Sequence, residues 1–412
     1  MTGEKKTWFF CFNTKKRSNV IGIISWNLVV DEISWIAESP RENTYAWKLR
    51  ASSPLFFCEA KMASGRAVAR PDDPKLGEWI VRVEIDGMTK EELAGFQVVL
   101  VGFPHDEGVR RNGGRVGAAQ GPERVFSFIG KVGTAVNPEF DVDLRSVKVA
   151  TVGCVAEGLG LEEAHARLAE VVAKIVSAGA VPFVIGGGND QSYPNALGYL
   201  QATRGGQEPR GGGRAFNVVN VDAHLDVRPL LGPELSVAHS GSPFRQLLQH
   251  PDFHPQLPAE ATSEGDSFAV FAAQGHQCSA AHVEFIRSSG GQVVWLGQAC
   301  AHSPAPAVGT RAGQAFQDRI IRGDASAIFL SFDLDSVSGA DAPGVSCPAA
   351  IGLSAQDACD IFYRSGLCGR VGIVDVSECN PVIEDYRTPR LVALFFYSFI
   401  LGLASQKSKN IT

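Results

Sequence analysis

The stretch FNVVNVDAHLD, residues 216–226, decides the architecture: an apolar, β-branched run ends abruptly in three ligand-type side chains, Asp222, His224 and Asp226. In extended chain, residues i, i+2 and i+4 share a face, so the spacing predicts that the three side chains converge where the strand ends. A second run, AIFLSFDLD from Ala327, closes the same way on Asp333 and Asp335. Neither run alternates polar with apolar residues, as a half-solvated strand would; each reads as a strand buried on both faces.

Working outward, further strand candidates are FQVVLVG from Phe96, VKVATV from Val147, VPFVIGG from Val181, SFAVFAAQ from Ser267, VVWLG from Val293 and VGIVDVSE from Val371. Helical periods lie between them. In LEEAHARLAEVVAKIVSAG, from Leu161, apolar positions 161, 164, 168, 171, 172 and 175 fall on one face. Another helix is predicted from Thr388 as N-cap, with Pro389 in the first turn and an apolar stripe reaching Leu403. Apolar strands alternating with amphipathic helices predict a mostly parallel sheet of about eight strands, covered by helices on both faces. Ligands of such sheets bind beyond the carboxyl ends of the strands.

The first 61 residues differ in composition, carrying four of the six tryptophans and no clear period. Residues 1–61 are read as an extension of unknown role and residues 62–412 as the catalytic domain, opening at Met62. TRGGQEPRGGGR from Thr203 and HPDFHPQLPAEATSEGD from His250 read as surface insertions. The chain has 412 residues, 45% of them hydrophobic, and a net charge of −6 without a basic cluster, which points away from nucleic acid and toward a small-molecule substrate. Nine dispersed cysteines without a CxxC pair favour reduced thiols in a cytoplasmic setting. No run is seen to approach the roughly 20 apolar residues of a membrane span.

Four aspartates aimed at one region repel unless a cation neutralises them. A set of four aspartates and one histidine is rich in hard oxygen and suits Mn²⁺ or Mg²⁺ better than thiolate-held zinc. Two ions bridged by carboxylates would acidify a water between them into a nucleophile, so hydrolysis is the expected reaction.

VDAHLD and SFDLD, together with DAPGVSCPAAIGLS and DVSECNP, resemble the ureohydrolase (arginase and agmatinase) family, over roughly residues 70 to 405. Within it, GFPHDEGVRRNGGRVGAAQGP from Gly102, HSGSPFRQLL from His239 and APGVSCPA look most like the formimidoylglutamases, which release glutamate and formamide from N-formimino-L-glutamate. The resemblance implies a three-layer α/β/α arginase-like fold and two Mn²⁺ per subunit. It implies that Asp222 and Asp333 bridge the ions, with His224, Asp226 and Asp335 completing the coordination. It also implies that Glu378 faces the substrate amidine, and that the subunits form a trimer or hexamer.

Asn189, in GGGND, stands where the family has a metal-binding histidine. The residue reads either as a weak, neutral ligand or as a left-handed turn residue after three glycines. The family's proton-shuttle histidine has no plain counterpart: Ser240 falls at its place and His239 one residue earlier, so proton transfer is expected through Asp226 or solvent. Arg110, Arg111 and Arg245 are the candidates for the substrate's carboxylates, each with a structural ion pair as its alternative. His165, His250, His254 and His302 show no ligand spacing, and His105, in GFPHDEG, reads as a solvated loop residue with an approach to the site mouth as its alternative. Two alternatives stand beside this reading: a ureohydrolase acting on arginine, agmatine or a guanidino acid, and a catalytically silent, metal-deficient homologue motivated by Asn189.

Overall fold

In the computed structural model, the described residues are 32–36, 46–50 and 72–409, apart from 88, 205–215, 256–265, 302–305, 307 and 322–326. The chain divides into two units, residues 1–65 and 66–412. Within the first, Glu32–Ile36 pairs antiparallel with Ala46–Arg50. The rest of the expected 1–61 extension, Met62, His302 and most of both predicted insertions lie outside the described residues.

The second unit is built on one nine-stranded sheet, in chain order β1 (Val81–Arg82), β2 (Val98–Phe103), β3 (Val149–Cys154), β4 (Val181–Gly186), β5 (Phe216–Val221), β6 (Ser267–Ala273), β7 (Gln292–Trp295), β8 (Ala327–Asp333) and β9 (Val371–Ser377), beside a small antiparallel pair of Val136–Asn137 with Val142–Asp143. Their order in the sheet is β7-β6-β5-β8-β9-β4-β2-β3-β1, with every pairing parallel. All eight predicted strands form. The ninth, β1, is a two-residue exposed edge with no apolar run to announce it.

Alternate strand residues enter opposite faces of the sheet. Val181, Phe183 and Ile185 of β4 join one buried cluster with Val219 and Val221 of β5, whereas Val184 and Val218 join the other. The first cluster is covered by α1 (Gly121–Ile129), α5 (Ala355–Cys368) and α6 (Arg387–Lys409); the second by α2 (Leu161–Ser177), α3 (Ser192–Arg204) and α4 (Ala280–Ser288). This is the expected three-layer α/β/α arrangement.

Helix α2 buries the predicted face, from Leu161 to Ile175. Helix α6 starts one residue before the predicted cap, and Thr388 lies inside it. The Glu384 carboxylate caps it instead, accepting from the backbone N–H groups of Tyr386, Arg387 and Thr388 at 2.7–2.9 Å. The Thr388 hydroxyl accepts from Gly344 N–H at 2.8 Å, tying the helix to the 342–348 loop. By length and composition α6 could cross a membrane, but 78% of its most apolar window is buried inside the fold, so it is a core helix.

Two loops at the carboxyl edge are clasped. Gly187 N–H donates to Phe103 O and Gly188 N–H to His105 O, both at 2.9 Å, and a Cβ on Gly187 would sit 1.8 Å from the His105 carbonyl oxygen. The loop after β2 therefore lies directly on the glycine run after β4.

Candidate metal centre

The four central strands β5, β8, β9 and β4 end side by side, and each contributes to one site. Register sets Phe332 opposite Val221 and Asp333 opposite Ser377, so Asp222, Asp333 and the residues following β9 emerge level with one another. Asp222, His224, Asp226, Asp333, Asp335, Glu378 and Asn189 all gather there.

Convergence does not come from the pleat. Strand β5 ends at Val221, and the chain then bends: His224 N–H donates to Asp222 Oδ1 at 2.6 Å. Strand β8 ends likewise, with Asp335 N–H donating to Asp333 Oδ1 at 3.0 Å. Each aspartate holds its own backbone two residues on. Asp226 (φ +45°) and Glu378 (φ +68°) occupy the left-handed region, an uncommon conformation for non-glycine residues that clusters at functional sites.

Two groups of three ligand-type atoms result, Asp222/His224/Asp335 and Asp222/Asp226/Asp333, each with all its atoms within 4.8 Å of one another. Asp222 is common to both. His224 Nδ1 lies 2.9 Å from Asp335 Oδ2 and 3.6 Å from Asp222 Oδ1. Asn220 Nδ2 donates to Asp222 Oδ2 at 2.8 Å, fixing the shared carboxylate. Glu378 is 6% exposed, and its Oε1 accepts from Asn189 N–H at 3.3 Å.

The electrostatics are those of carboxylates crowded together and withdrawn from water. Burial pushes Asp226 up to about 8, with Asp222 adding repulsion, and Asp335 up to about 6. Burial first, and then the neighbouring carboxylates, raise Asp333 and Glu378 well above the carboxylate range. Burial opposes a charge on His224, but Asp335 and Asp222 outweigh it and raise the imidazole strongly. Asp335 Oδ1 is buried with no hydrogen-bond partner. Hard-oxygen donors around unsatisfied buried charge fit a divalent cation such as Mn²⁺.

Asn189 is 1% exposed and begins a 3-10 turn, Asn189–Gln191, rather than adopting the left-handed backbone considered from sequence. Its side-chain Nδ2 donates to Asp226 Oδ2 at 2.7 Å, and its Oδ1 accepts from the Ser192 and Ser377 hydroxyls at 3.0 Å each. It stands on the Asp226 side of the centre.

The three predicted arginines are committed elsewhere. Arg110 makes two 2.6 Å bonds to Glu107. Arg111 binds Glu107, Glu162 and the Ala238 carbonyl. Arg245 donates to Val227 O at 2.9 Å, with its guanidinium 3.9 Å from the centre of the Phe285 ring. The cation that does reach the site is Arg228, two residues past Asp226. Arg228 lines a cavity of about 110 Å³ together with His224, Asp226, Gln277, Cys278 and His282. Its Nη1 donates to Asn112 Oδ1 at 3.1 Å, and no carboxylate is paired with it among the described residues. The signal available in sequence was its place, two residues beyond Asp226 on the same strand-end segment.

The other histidines do not join the centre. His239 is 2% exposed; its Nε2 lies 3.0 Å from Pro229 O and its Nδ1 accepts from Gly241 N–H at 3.2 Å, a neutral pin of the loop. Ser240 Oγ accepts from Asn112 Nδ2 at 3.1 Å. His165 Nε2 meets the fully buried Asp190 Oδ2 at 2.7 Å, and His105 Nε2 meets Ala156 O at the same distance.

Fold and site together define a parallel α/β protein with an acidic candidate metal centre at the strand carboxyl ends. A sequence model of the arginase family matches residues 96–402, and the chain belongs to that family. It is 32% identical over 334 residues to a formimidoylglutamase of Nocardia farcinica, covering 76% of this chain and 94% of that protein. Trypanosoma cruzi formiminoglutamase, solved with Mn²⁺, is 40% identical with a TM-score of 0.68, covering 81% of this chain and 99% of that one. Bacillus subtilis formimidoylglutamase, at 17% identity and a TM-score of 0.67 over 85% of this chain and 96% of that one, shares the fold.

Proposed function

We propose that the protein hydrolyses N-formimino-L-glutamate to L-glutamate and formamide, using Mn²⁺ held by Asp222, His224, Asp226, Asp333 and Asp335, with Asn189 beside the Asp226 position. The observation that carries this reading is the pair of ligand groups sharing Asp222, opening onto a cavity with a carboxylate-free arginine. Two Mn²⁺ per subunit is the expected count, since two groups with a common member suit two neighbouring ions. When bound, Mn²⁺ supplies neutralisation of the carboxylates and Lewis-acid activation of water.

Glu378, facing the cluster, pairs with the amidine cation and turns its carbon toward the site of attack. Asp226 is the proton carrier, as His239 is held in its loop: it takes a proton from the attacking water and returns it to the departing glutamate amine. Water adds to the amidine carbon, the bond to the glutamate nitrogen breaks, and the carbon leaves as formamide. Arg228, in place of Arg110, Arg111 and Arg245, receives a substrate carboxylate by a charge-assisted bond.

The test is an assay of purified protein with Mn²⁺ for formamide and glutamate, run beside a urea assay with arginine, agmatine and a guanidino acid. Equal release of formamide and glutamate is expected; urea without formamide would move the substrate to a guanidine, and no product from any of them would leave the silent homologue. By the same family reading the enzyme works in the cytoplasm as a homotrimer or hexamer, which light scattering on purified protein measures.

A further inference from the structure

A chain of buried polar side chains leads away from the centre and takes no part in the chemistry above. Beyond Asn189, Ser192 Oγ lies 3.0 Å from Ser331 Oγ, and Ser331 of β8 stands directly opposite Asp375 of β9. Asp375 Oδ2 accepts from Asn195 Nδ2 at 2.8 Å, whereas its Oδ1 is buried with no hydrogen-bond partner. Asn189, Ser192, Ser331, Asp375 and Ser377 are each at most 1% exposed. A carboxylate beneath the sheet edge, half satisfied, is a costly component for packing alone.

The present arrangement turns the Asn189 NH₂ toward Asp226, the wrong end of an amide to meet a cation. A serine hydroxyl both donates and accepts. If the amide is turned end for end, the NH₂ donates to Ser192 and Ser377, and the carbonyl oxygen faces the Asp226 position. Ser192 then no longer spends its proton on Asn189 and can donate to Ser331, which in turn donates to Asp375 Oδ1. The Oδ1 oxygen of Asp375 gains a donor, and Ser192 and Ser331 each keep one donated and one accepted bond.

We propose that Asp375, acting through Ser331 and Ser192, is the positioning residue that holds the carbonyl oxygen of Asn189 toward the second metal position. This rests on the reading of the acidic cluster as a two-ion Mn²⁺ centre. Ionised Asp375 can only accept, so it draws the hydroxyl protons away from Asn189 and favours the turned form. Asp375→Asn supplies a donor in the same shape and reverses that polarity.

Mn²⁺ binding to the full chain is measured by titration followed through the EPR signal of the free ion. Wild type should show two classes of site. Asp375→Asn and Ser192→Ala should each weaken the looser class tenfold or more and leave the tighter class within twofold. In an Asn189→His background, where an imidazole replaces the amide, Asp375→Asn should change either class by less than twofold. Unchanged binding in both variants, equal weakening of both classes, or undiminished loss in the histidine background would each overturn the proposal. Ser192→Ala decides alone if metal-free melting shows Asp375→Asn unfolded. No Mn²⁺ bound by wild type, or a single class, overturns the two-ion reading and this proposal with it; two classes indifferent to both variants overturn this proposal only.

Discussion

At the scale of single residues, Asn189 is a neutral amide beside a buried carboxylate. Replacing it with histidine gives the cation an imidazole nitrogen and removes an amide that now serves Asp226. Asn189→His is expected to tighten the looser Mn²⁺ at least tenfold, read by calorimetric titration; unchanged affinity would show that residue 189 is not a ligand. Arg228 is the second decisive side chain. Charge-assisted hydrogen bonds are worth about 1.5–3 kcal/mol, which converts to roughly 10- to 100-fold in binding. Arg228→Ala should raise KM for formiminoglutamate by that factor and leave kcat within a few fold; a fall in kcat at constant KM would place it outside the carboxylate subsite. The candidate metal residues were legible because their paired spacing at the ends of apolar runs is visible in one dimension. Their geometry was not. The Asp222 and Asp333 turns and the left-handed backbone of Asp226 and Glu378 arise from side-chain-to-backbone bonds that leave no periodic trace. For Arg110 and Arg111 the sequence left a carboxylate subsite and a structural ion pair open, because Glu107 and Glu162 are ordinary surface acids until the fold brings Glu162 across.

At the scale of elements, the apolar strands were readable because burial on both faces demands continuous hydrophobic runs, and β1, exposed at the edge, carries no such demand. Helix α6 shows the limit for helix ends. Thr388 has the chemistry of a cap, yet Glu384 performs the capping from a preceding turn that sequence pattern does not show. Burial pushes the Glu384 carboxyl up, but the N–H groups of Thr388, Arg387 and Tyr386 prevail and hold it below its usual range. Its contribution is therefore complete above the unfolded value near about 4.3 and is lost as pH falls through the lower folded value. Glu384→Ala should cost about 1–2 kcal/mol at pH 7, by urea unfolding, and progressively less as the pH is lowered below about 4. A cost independent of pH would assign the effect to packing.

Across the whole molecule, the late strands β8 and β9 insert between β4 and β5, so the centre exists only when segments more than 150 residues apart, from Asn189 to Glu378, have come together. What the assembled centre then holds is excess proton affinity. Asp226 raised to about 8, Asp335 to about 6, and the raised Asp333, Glu378 and His224 all bind protons more tightly folded than unfolded. Wherever the native state holds more protons, stability falls as pH rises. Chelated protein should therefore lose Tm between about pH 4 and 8, and Mn²⁺, taking the protons' place, should raise Tm more at pH 8 than at pH 6. Scanning calorimetry at four pH values checks this, and a metal-induced rise that is the same at every pH would count against the carboxylate cluster as the binding site.

The clasp between Gly187 and the His105 carbonyl bears on how such an enzyme can be rebuilt. The loop carrying Arg110, Arg111 and Asn112 and the loop carrying Asn189 fill each other's space, so neither can accept a side chain at the crossing while the other stays in place. A chimaera that borrows one of them from a relative inherits a collision unless the matching glycine run is present. Transplanted substrate preference should travel as a two-loop cassette, and substitutions at Gly187 or Gly108 in one loop alone should be lost before they reach the chemistry.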